Sequence, residues 1–405
     1  MNLNARVTGF MLIVFSLLAG GLFAASAGAA YNPEDPAQKA EYDDAFEIAT
    51  EGYEFGMPVL NMARTFRKST SVNVPSGRGA GPVNQFSHFT ELADVRDRTV
   101  VLPNNDTLYS MAWLDLSRGP VVIHTKKPTK RFHVLELLDP WQKNFANIGS
   151  PPRGYPDGSY LIAPKGWKGK KPKGLTTIRA PYDRVWIIGR TIVYNEADLA
   201  NIPRVQKTYA IVPLRRWNPK RPYSYRRPQP AKVDRTTNEA YVPGTRPGQN
   251  PAVFFDALGN QLKRFPARKI DAPVLRRLRA LGIGPGRKPL ADGELSDAQI
   301  QAMADAVTQG PDRMRADLLT RYLNAFDAKN GWNVARMGVY GTDYETRALV
   351  DQFGLGAPRP AVAVYPLALF DSTRMPLTGA KSYVAHFTPN YARPPVKFFW
   401  SMTLY

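Results

Sequence analysis

Four consecutive hydrogen-bonding side chains, Asn104, Asn105, Asp106 and Thr107, stand directly ahead of an alternating segment that carries Tyr109 and Trp113. Asn and Asp favour turns because their short side chains bond nearby amides and tolerate left-handed backbone. Such a run makes either an ordered corner or a rim that touches a ligand. Carboxylates offer the most definite chemistry: Asp106, Asp115, Asp139 and Asp343 all lie at ends of expected strands or helices. Two carboxylates can divide acid and base roles when their surroundings push their pKa values apart. Arg190 would steady an anionic substrate, while the structural account for both Arg131 and Arg190 is pairing with those acids. The catalytic candidates are Asp106, Asp139 and Arg190. The structural reading, an Asp that caps a turn or pairs with an Arg, is preferred for each acid.

Other chemistries have less to stand on. The four histidines, His88, His124, His133 and His386, show no HxH or HExxH spacing, and there is no Cys. A zinc site is not expected, and no motif calls for a cofactor. Ser110 has no GxSxG setting and alternates with Tyr109 in an expected strand. Trp, Tyr, Asn, Asp and Arg together are the composition of a cleft for a carbohydrate or a ring, although aromatics in sandwiches more often form core. The candidate ligand-binding residues are Asn104, Asn105, Asp106, Tyr109, Trp113, Arg131, Trp141, Trp400 and Tyr405. The sharper expectation places 104–109 and 400–405 face to face across a groove between domains, a favoured place for small-ligand pockets.

The elements that must position these residues follow from periodicity. Ala45, Ile48, Ala49, Tyr53, Gly56, Leu60 and Ala63 recur at steps of three and four, predicting a helix over 43–66 that Pro58 kinks or splits. From 99 the period becomes two. Short β-branched and aromatic runs at 99–102, 108–114, 121–124, 132–138, 159–163, 176–179 and 185–193 predict an antiparallel sandwich. A short helix is expected over 201–209. Helices follow from Pro251, from Asp271 to Gly282, from Ser296, from Pro311, and over 343–353. Strand character returns at 361–370, 381–387 and 396–405. No internal repeat is present.

The first thirty residues have the pattern of a cleaved secretory signal: Arg6, an apolar core at 9–23, and small residues ending at Ala27, Ala29 or Ala30. A retained anchor is the alternative, but the apolar run is shorter than the ~18 residues of a spanning helix. The chain is therefore expected to be exported, to the periplasm or beyond. The remaining ~375 residues exceed one compact core. The net charge of +20 implies attraction to anionic surfaces, and it concentrates at 165–173 and 215–235. The second run interleaves Arg with Trp217, Tyr223 and Tyr225, which is also a composition of single-strand nucleic-acid binders. Its prolines and the export signal argue against nucleic acid and for an extended linker, with docking on an anionic envelope surface as the sharper reading.

Several ordered motifs carry a family resemblance. They include YEFGMPVL (53–60), PNNDTLY (103–109) with Trp113, Asp115 and Gly119-Pro120, RFHVLELLD (131–139), GWKG (166–169) and VWIIGR (185–190). FFD (254–256), LGIGPG (281–286), YGTDY (340–344) with Arg347-Ala348, and FWSMTLY (399–405) follow. With these the chain resembles the exported two-part proteins that combine domain of unknown function 1254 with domain of unknown function 1214. The resemblance implies an α+β, mainly β architecture: an immunoglobulin-like sandwich, a helical connector and a C-terminal jelly-roll-like sandwich. It implies no established activity. Family members continue past FWSMTLY, so this chain is expected to be truncated or a fragment there, or completed by a partner, with a poorly soluble C-terminal third when expressed alone.

The expected organisation is signal 1–30, helix plus sandwich 31–214, basic linker 215–250, helical connector 251–335 and an incomplete sandwich 336–405. The leading functional expectation is an exported protein that binds a small molecule or envelope component at the domain junction, with an oligomer compatible. The alternatives are a hydrolase using Asp106 and Asp139 with Arg190, and an envelope-associated structural protein that docks on anionic surfaces.

Overall fold

The computed structural model describes residues 30–94, 103–126, 131–150, 154–221, 249–325, 331–334, 337–387 and 394–404. The signal pattern, the strand expected at 99–102, the linker beyond 221 and Tyr405 lie outside them.

Helix α1 (Pro36–Thr70) starts at Asp35, whose carboxylate accepts the Ala37 and Gln38 amides, with Pro36 in the first turn where its missing N–H costs nothing. The helix runs unbroken through Pro58 instead of splitting there. A proline removes one intrahelical hydrogen bond, and burial on two sides outweighs that loss. Ala49, Tyr53 and Val59 enter a core with the later helices, while Met62 and Phe66, further along, cover the sandwich.

Nine strands make that sandwich. A five-stranded antiparallel sheet has β1 (Ser87–His88), β2 (Thr107–Asp115), β4 (His133–Leu138), β5 (Asn144–Gly149) and β8 (Arg184–Ile192) in the order β1-β2-β8-β4-β5. Its partner has β3 (Val121–His124), β6 (Ser159–Ala163), β7 (Thr176–Arg179) and β9 (Ala210–Pro213) in the order β7-β6-β3-β9, with β6 and β7 parallel. Alternation aims Leu114, Leu135 and Ile187 at Val121, Tyr160 and Ile162 between the sheets. The opposite side chains, Tyr109, Met111, Trp113, Trp186 and Ile188, meet α1. The central strands β2 and β8 are thus covered on both faces, which is why they read as near-continuous apolar runs.

A short 3-10 turn and α2 (Ile202–Gln206) precede β9. Helices α3 (Val253–Arg264), α4 (Ala272–Leu278), α6 (Asp297–Ala325) and α7 (Tyr344–Gly354) then gather on α1, and the short α5 (Pro289–Asp292) packs on α3. The separate helices expected from Ser296 and Pro311 are one continuous α6. Packing explains it: Gly310 lies against Tyr53 of α1, and a Cβ there would come within 2.2 Å of the ring.

Of the late strands, only β11 (Pro366–Ala368) forms among the described residues, paired with β10 (Trp332–Val334). The expected strands at 381–387 and 396–404 are irregular chain, because a strand needs a neighbour for its backbone groups. Val384 is 78 % and Leu404 90 % exposed. The architecture is α+β as expected, with 36 % helix and 18 % strand among the described residues. Helix outweighs strand because α1 and α6 run long and the C-terminal strands do not pair. Among the described residues no helix is long and apolar enough to cross a membrane.

Candidate functional site

The 104–107 run is an ordered corner. Asn104 Oδ1 accepts the Asp106 amide at 2.9 Å and the Thr107 hydroxyl at 3.1 Å, closing an Asx turn. The Asn104 amide donates to the Tyr109 hydroxyl at 2.9 Å. Asn105 and Asp106 are left to meet the C-terminal segment. Ser401 Oγ donates to Asp106 Oδ2 at 2.5 Å, and Thr403 Oγ1 donates to Asn105 Oδ1 at 3.3 Å. Alongside, Phe398 and Phe399 lie 5.1 and 5.6 Å from the Phe132 ring. The corner and the 398–403 stretch therefore adjoin. Trp400 is 45 % exposed and packs beside Phe387.

Tyr109 leads inward from the corner to a buried ion pair. It stands opposite Arg190 in the β2–β8 register, with the guanidinium 5.5 Å from its ring. Arg190 pairs with Glu136 of β4, which is fully buried, and donates to the Gly356 carbonyl at 3.3 Å. Arg190 is thus engaged on both sides.

The two carboxylates of the hydrolase reading are not brought together. Strands β2 and β4 run in the same direction on either side of β8. Asp106 precedes β2 and Asp139 follows β4, so they lie at opposite ends of the sheet. The β8 residues opposite Thr107 and Leu138 are Ile192 and Trp186, a separation of roughly 20 Å at ~3.3 Å per residue. Glycosidase carboxylates stand within about 10 Å. These two cannot bracket one bond.

Four further candidates are held in structural contacts. Asp139 closes the β4–β5 turn: its Oδ1 accepts the Trp141 and Lys143 amides at 2.9 and 3.0 Å, and burial pushes its pKa up to about 6. Trp141 is inserted among the helices, donating Nε1–H to the Phe265 carbonyl at 3.2 Å. Trp113 stacks on Trp186 at 5.2 Å under Phe66. Arg131 forms a two-pronged bond with Asp198, both contacts at 2.6 Å, and that guanidinium holds the Asp198 carboxyl well below the carboxylate range. The aromatic signal in the sequence is mostly core, and the arginine signal mostly ion pairs.

Sequence reading missed a buried polar cluster where the sandwich meets α1 and α7. Gln142, Asp351 and Arg347 are almost fully buried. Asp351 accepts from Asn61 of α1 and from Gln142 of the β4–β5 turn. Gln142 adopts φ +60°, left-handed backbone that a non-glycine side chain rarely takes. One turn earlier on α7, Arg347 lies 5.2–5.4 Å from the rings of Trp141, Tyr344 and Phe55 and donates to the Phe55 carbonyl at 2.9 Å. Burial pushes Asp351 up to about 8 and Arg347 down to about 10. Its members come from three distant segments, and Asn61, Gln142 and Asp351 lie outside the motifs quoted above.

Three of the four histidines, His88, His124 and His133, are turned into the protein, and His386 is exposed. His88 Nδ1 lies 2.9 Å from Ser110 Oγ, and His133 Nε2 lies 2.8 Å from Asp157. Burial pushes His88 down to about 4 and lowers His133, so both imidazoles are disfavoured as cations. Among the described residues no group of three or more His, Asp and Glu is placed to hold a metal ion. A surface pocket of about 210 Å³ lies elsewhere, between Arg279, Arg287, Asp292 and Glu294 of the helical part. None of the motif candidates lines it.

Residues 83–213 match the family described as protein of unknown function DUF1254, and residues 362–405 match protein of unknown function DUF1214. No curated protein matches the chain. The fold is similar to the crystal structure of the VPA0106 protein from Vibrio parahaemolyticus, with a TM-score of 0.53 at 17 % identity over 78 % of this chain and 69 % of that one.

Proposed function

We propose that this chain, which joins a DUF1254 part to a DUF1214 part, works by binding, taking a small polyhydroxylated molecule at the corner formed by Asn105 and Asp106. The observation that carries this reading is the pair of hydroxyl contacts from Ser401 and Thr403 to Asp106 and Asn105. Two oxygen acceptors already receive hydroxyl donors there, as they would from a sugar or cyclitol. Both contacts are exposed, so water competes with them and a ligand can replace them at small cost. The Asx turn fixes the acceptors before any ligand arrives, which lowers the entropy lost on binding. Hydrolysis has less support, because Asp139, the second carboxylate of that reading, lies at the opposite end of the sheet from Asp106.

Calorimetry of the full chain with myo-inositol and a series of mono- and disaccharides tests this. Asp106→Ala is expected to weaken binding about tenfold or more, the range for losing a hydrogen bond to a charged group. Ser401→Ala with Thr403→Ala is expected to tighten it by removing the internal competitor. Absence of heat with every polyol, or binding indifferent to Asp106→Ala, rejects the reading.

A further inference from the structure

The two outer faces of the sandwich differ. Helix α1 covers the five-stranded sheet, whereas the outer face of the four-stranded sheet is covered by chain from its own connections. Val122, Leu161 and Ala163 point outward there and are buried by Leu175, Trp167, Leu214 and Trp217. Trp167 belongs to the 164–175 connection between β6 and β7, and Trp217 to the segment after β9. The 165–173 run and the described start of the second run, 215–221, therefore converge on one sheet face, and each brings a half-buried indole.

The charge of this face is of one sign. Segments 121–126, 159–180 and 210–221 contain eleven Lys and Arg and no Asp or Glu, and every one of those cations is exposed. The flanking acids have neighbours elsewhere: Asp157 lies 2.8 Å from His133 Nε2, and Asp183 lies 3.7 Å from Arg264 of α3. Arg179 donates to the Trp167 carbonyl at 2.7 Å and sits 6.0 Å from its ring, tying the indole to the sheet edge. Like charges at this density repel one another and lower stability unless an anionic partner neutralises them.

We infer that this face docks on an anionic lipid bilayer, with Trp167 and Trp217 seated at the headgroup level and the lysines of 165–173 against lipid phosphates. A bilayer fits better than a polyanionic strand. Single-strand binders line a groove with open aromatic faces for stacking. Here both indoles lie against the sheet within a broad field of cations, the arrangement of interfacial anchors. Lysine, a compact charge on a flexible stem, predominates in the 165–173 run and suits diffuse attraction to a charged membrane surface better than bidentate recognition.

The test is co-sedimentation of the full chain with phosphatidylcholine vesicles and with mixed phosphatidylcholine–phosphatidylglycerol vesicles, taking the salt-sensitive part of binding as the readout. A quadruple variant, Lys168→Gln, Lys170→Gln, Lys171→Gln and Lys173→Gln, is expected to lose about tenfold or more of the binding to the mixed vesicles. A control that removes as many exposed cations from the helical part, Lys263→Gln, Lys269→Gln, Arg287→Gln and Lys288→Gln, is expected to stay within about twofold. Trp167→Ala and Trp217→Ala should each reduce the blue shift of tryptophan emission on vesicle binding. Equal losses in the two quadruple variants would reduce the effect to net charge and overturn the proposal. Preference for polyphosphate or a single-stranded oligonucleotide over mixed vesicles at equal salt would overturn it too. All eight cations substituted in the two quadruple variants are exposed, so unchanged thermal melts are expected for both.

Discussion

Gln142 and Asp351 are 209 positions apart and hydrogen-bonded in the protein interior. The amide comes from a tight turn of the sandwich and the carboxyl from α7, so the bond fastens the β part to the helical part. Its acid partner is held without a matching positive contact. Burial raises the Asp351 pKa from 3.8 to about 8, with Asn61 and Arg347 only partly offsetting that rise.

This gives a pH dependence with a definite sign. Between about pH 4 and pH 8 the folded state keeps a proton on Asp351 that the unfolded chain has released. Stability contributed by this group is full below pH 4, falls as pH rises, and is gone above about 8. Asp351→Asn, which mimics the protonated acid, is expected to flatten that slope and to raise the melting temperature at pH 8. Melts across pH 4–9 for both proteins check it, and an unchanged slope contradicts the assignment.

Arg347 is expected to be among the costliest single positions. Its guanidinium lies among three aromatic rings and donates to the Phe55 carbonyl. Arg347→Ala should destabilise by about 3 kcal/mol or more, since it opens a cavity and strands a carbonyl. Arg347→Lys should recover only part of this, because an ammonium cannot stack as a plane. Urea denaturation measures both.

The Glu136–Arg190 pair makes a third case. Arg190→Met leaves Glu136 buried and uncompensated, an effect of about 3–5 kcal/mol. Adding Glu136→Gln should restore much of the loss, because the uncompensated charge is then gone. A double variant no better than Arg190→Met would mean the loss is packing and not charge.

Much of this architecture is legible in the sequence, and the exceptions have causes. Val121–His124, Ser159–Ala163 and Thr176–Arg179 come out with the predicted bounds, because short β-branched runs between Pro and Gly turns leave little choice. Strand β5, Asn-Phe-Ala-Asn-Ile-Gly, lacks that signal; it is a strand because β4 is beside it. Pro58 and Pro311 look like helix breaks locally but lie where long-range packing decides. At the junction, the Asx corner was readable from Asn104 to Thr107. Trp113 and Trp141 were not separable from ligand-contacting aromatics, since burial is set by which helix lands on them. Asp351 had no local signal at all.

Gly259 supplies a further prediction, on backbone approach. It sits within α3, and a Cβ there would lie 1.9 Å from the Arg287 carbonyl oxygen, while its own carbonyl accepts the Gly286 amide at 2.7 Å. The 281–286 motif is thus held flush against the helix. Gly259→Ala should cost about 2 kcal/mol or more, because backbone and not a flexible side chain must move. A melt indistinguishable from the parent protein would rule this out.

Helix α1 carries a consequence for biosynthesis. It emerges from the ribosome ahead of the sheet and the helices it packs against: the sheet residues it covers begin at Tyr109, and its helical partners run from Phe254 to Leu349. Until that chain has been made, both of its apolar sides face water or a chaperone. The first of the described helices is buried last, so folding is expected to be slow and dependent on the whole length of chain.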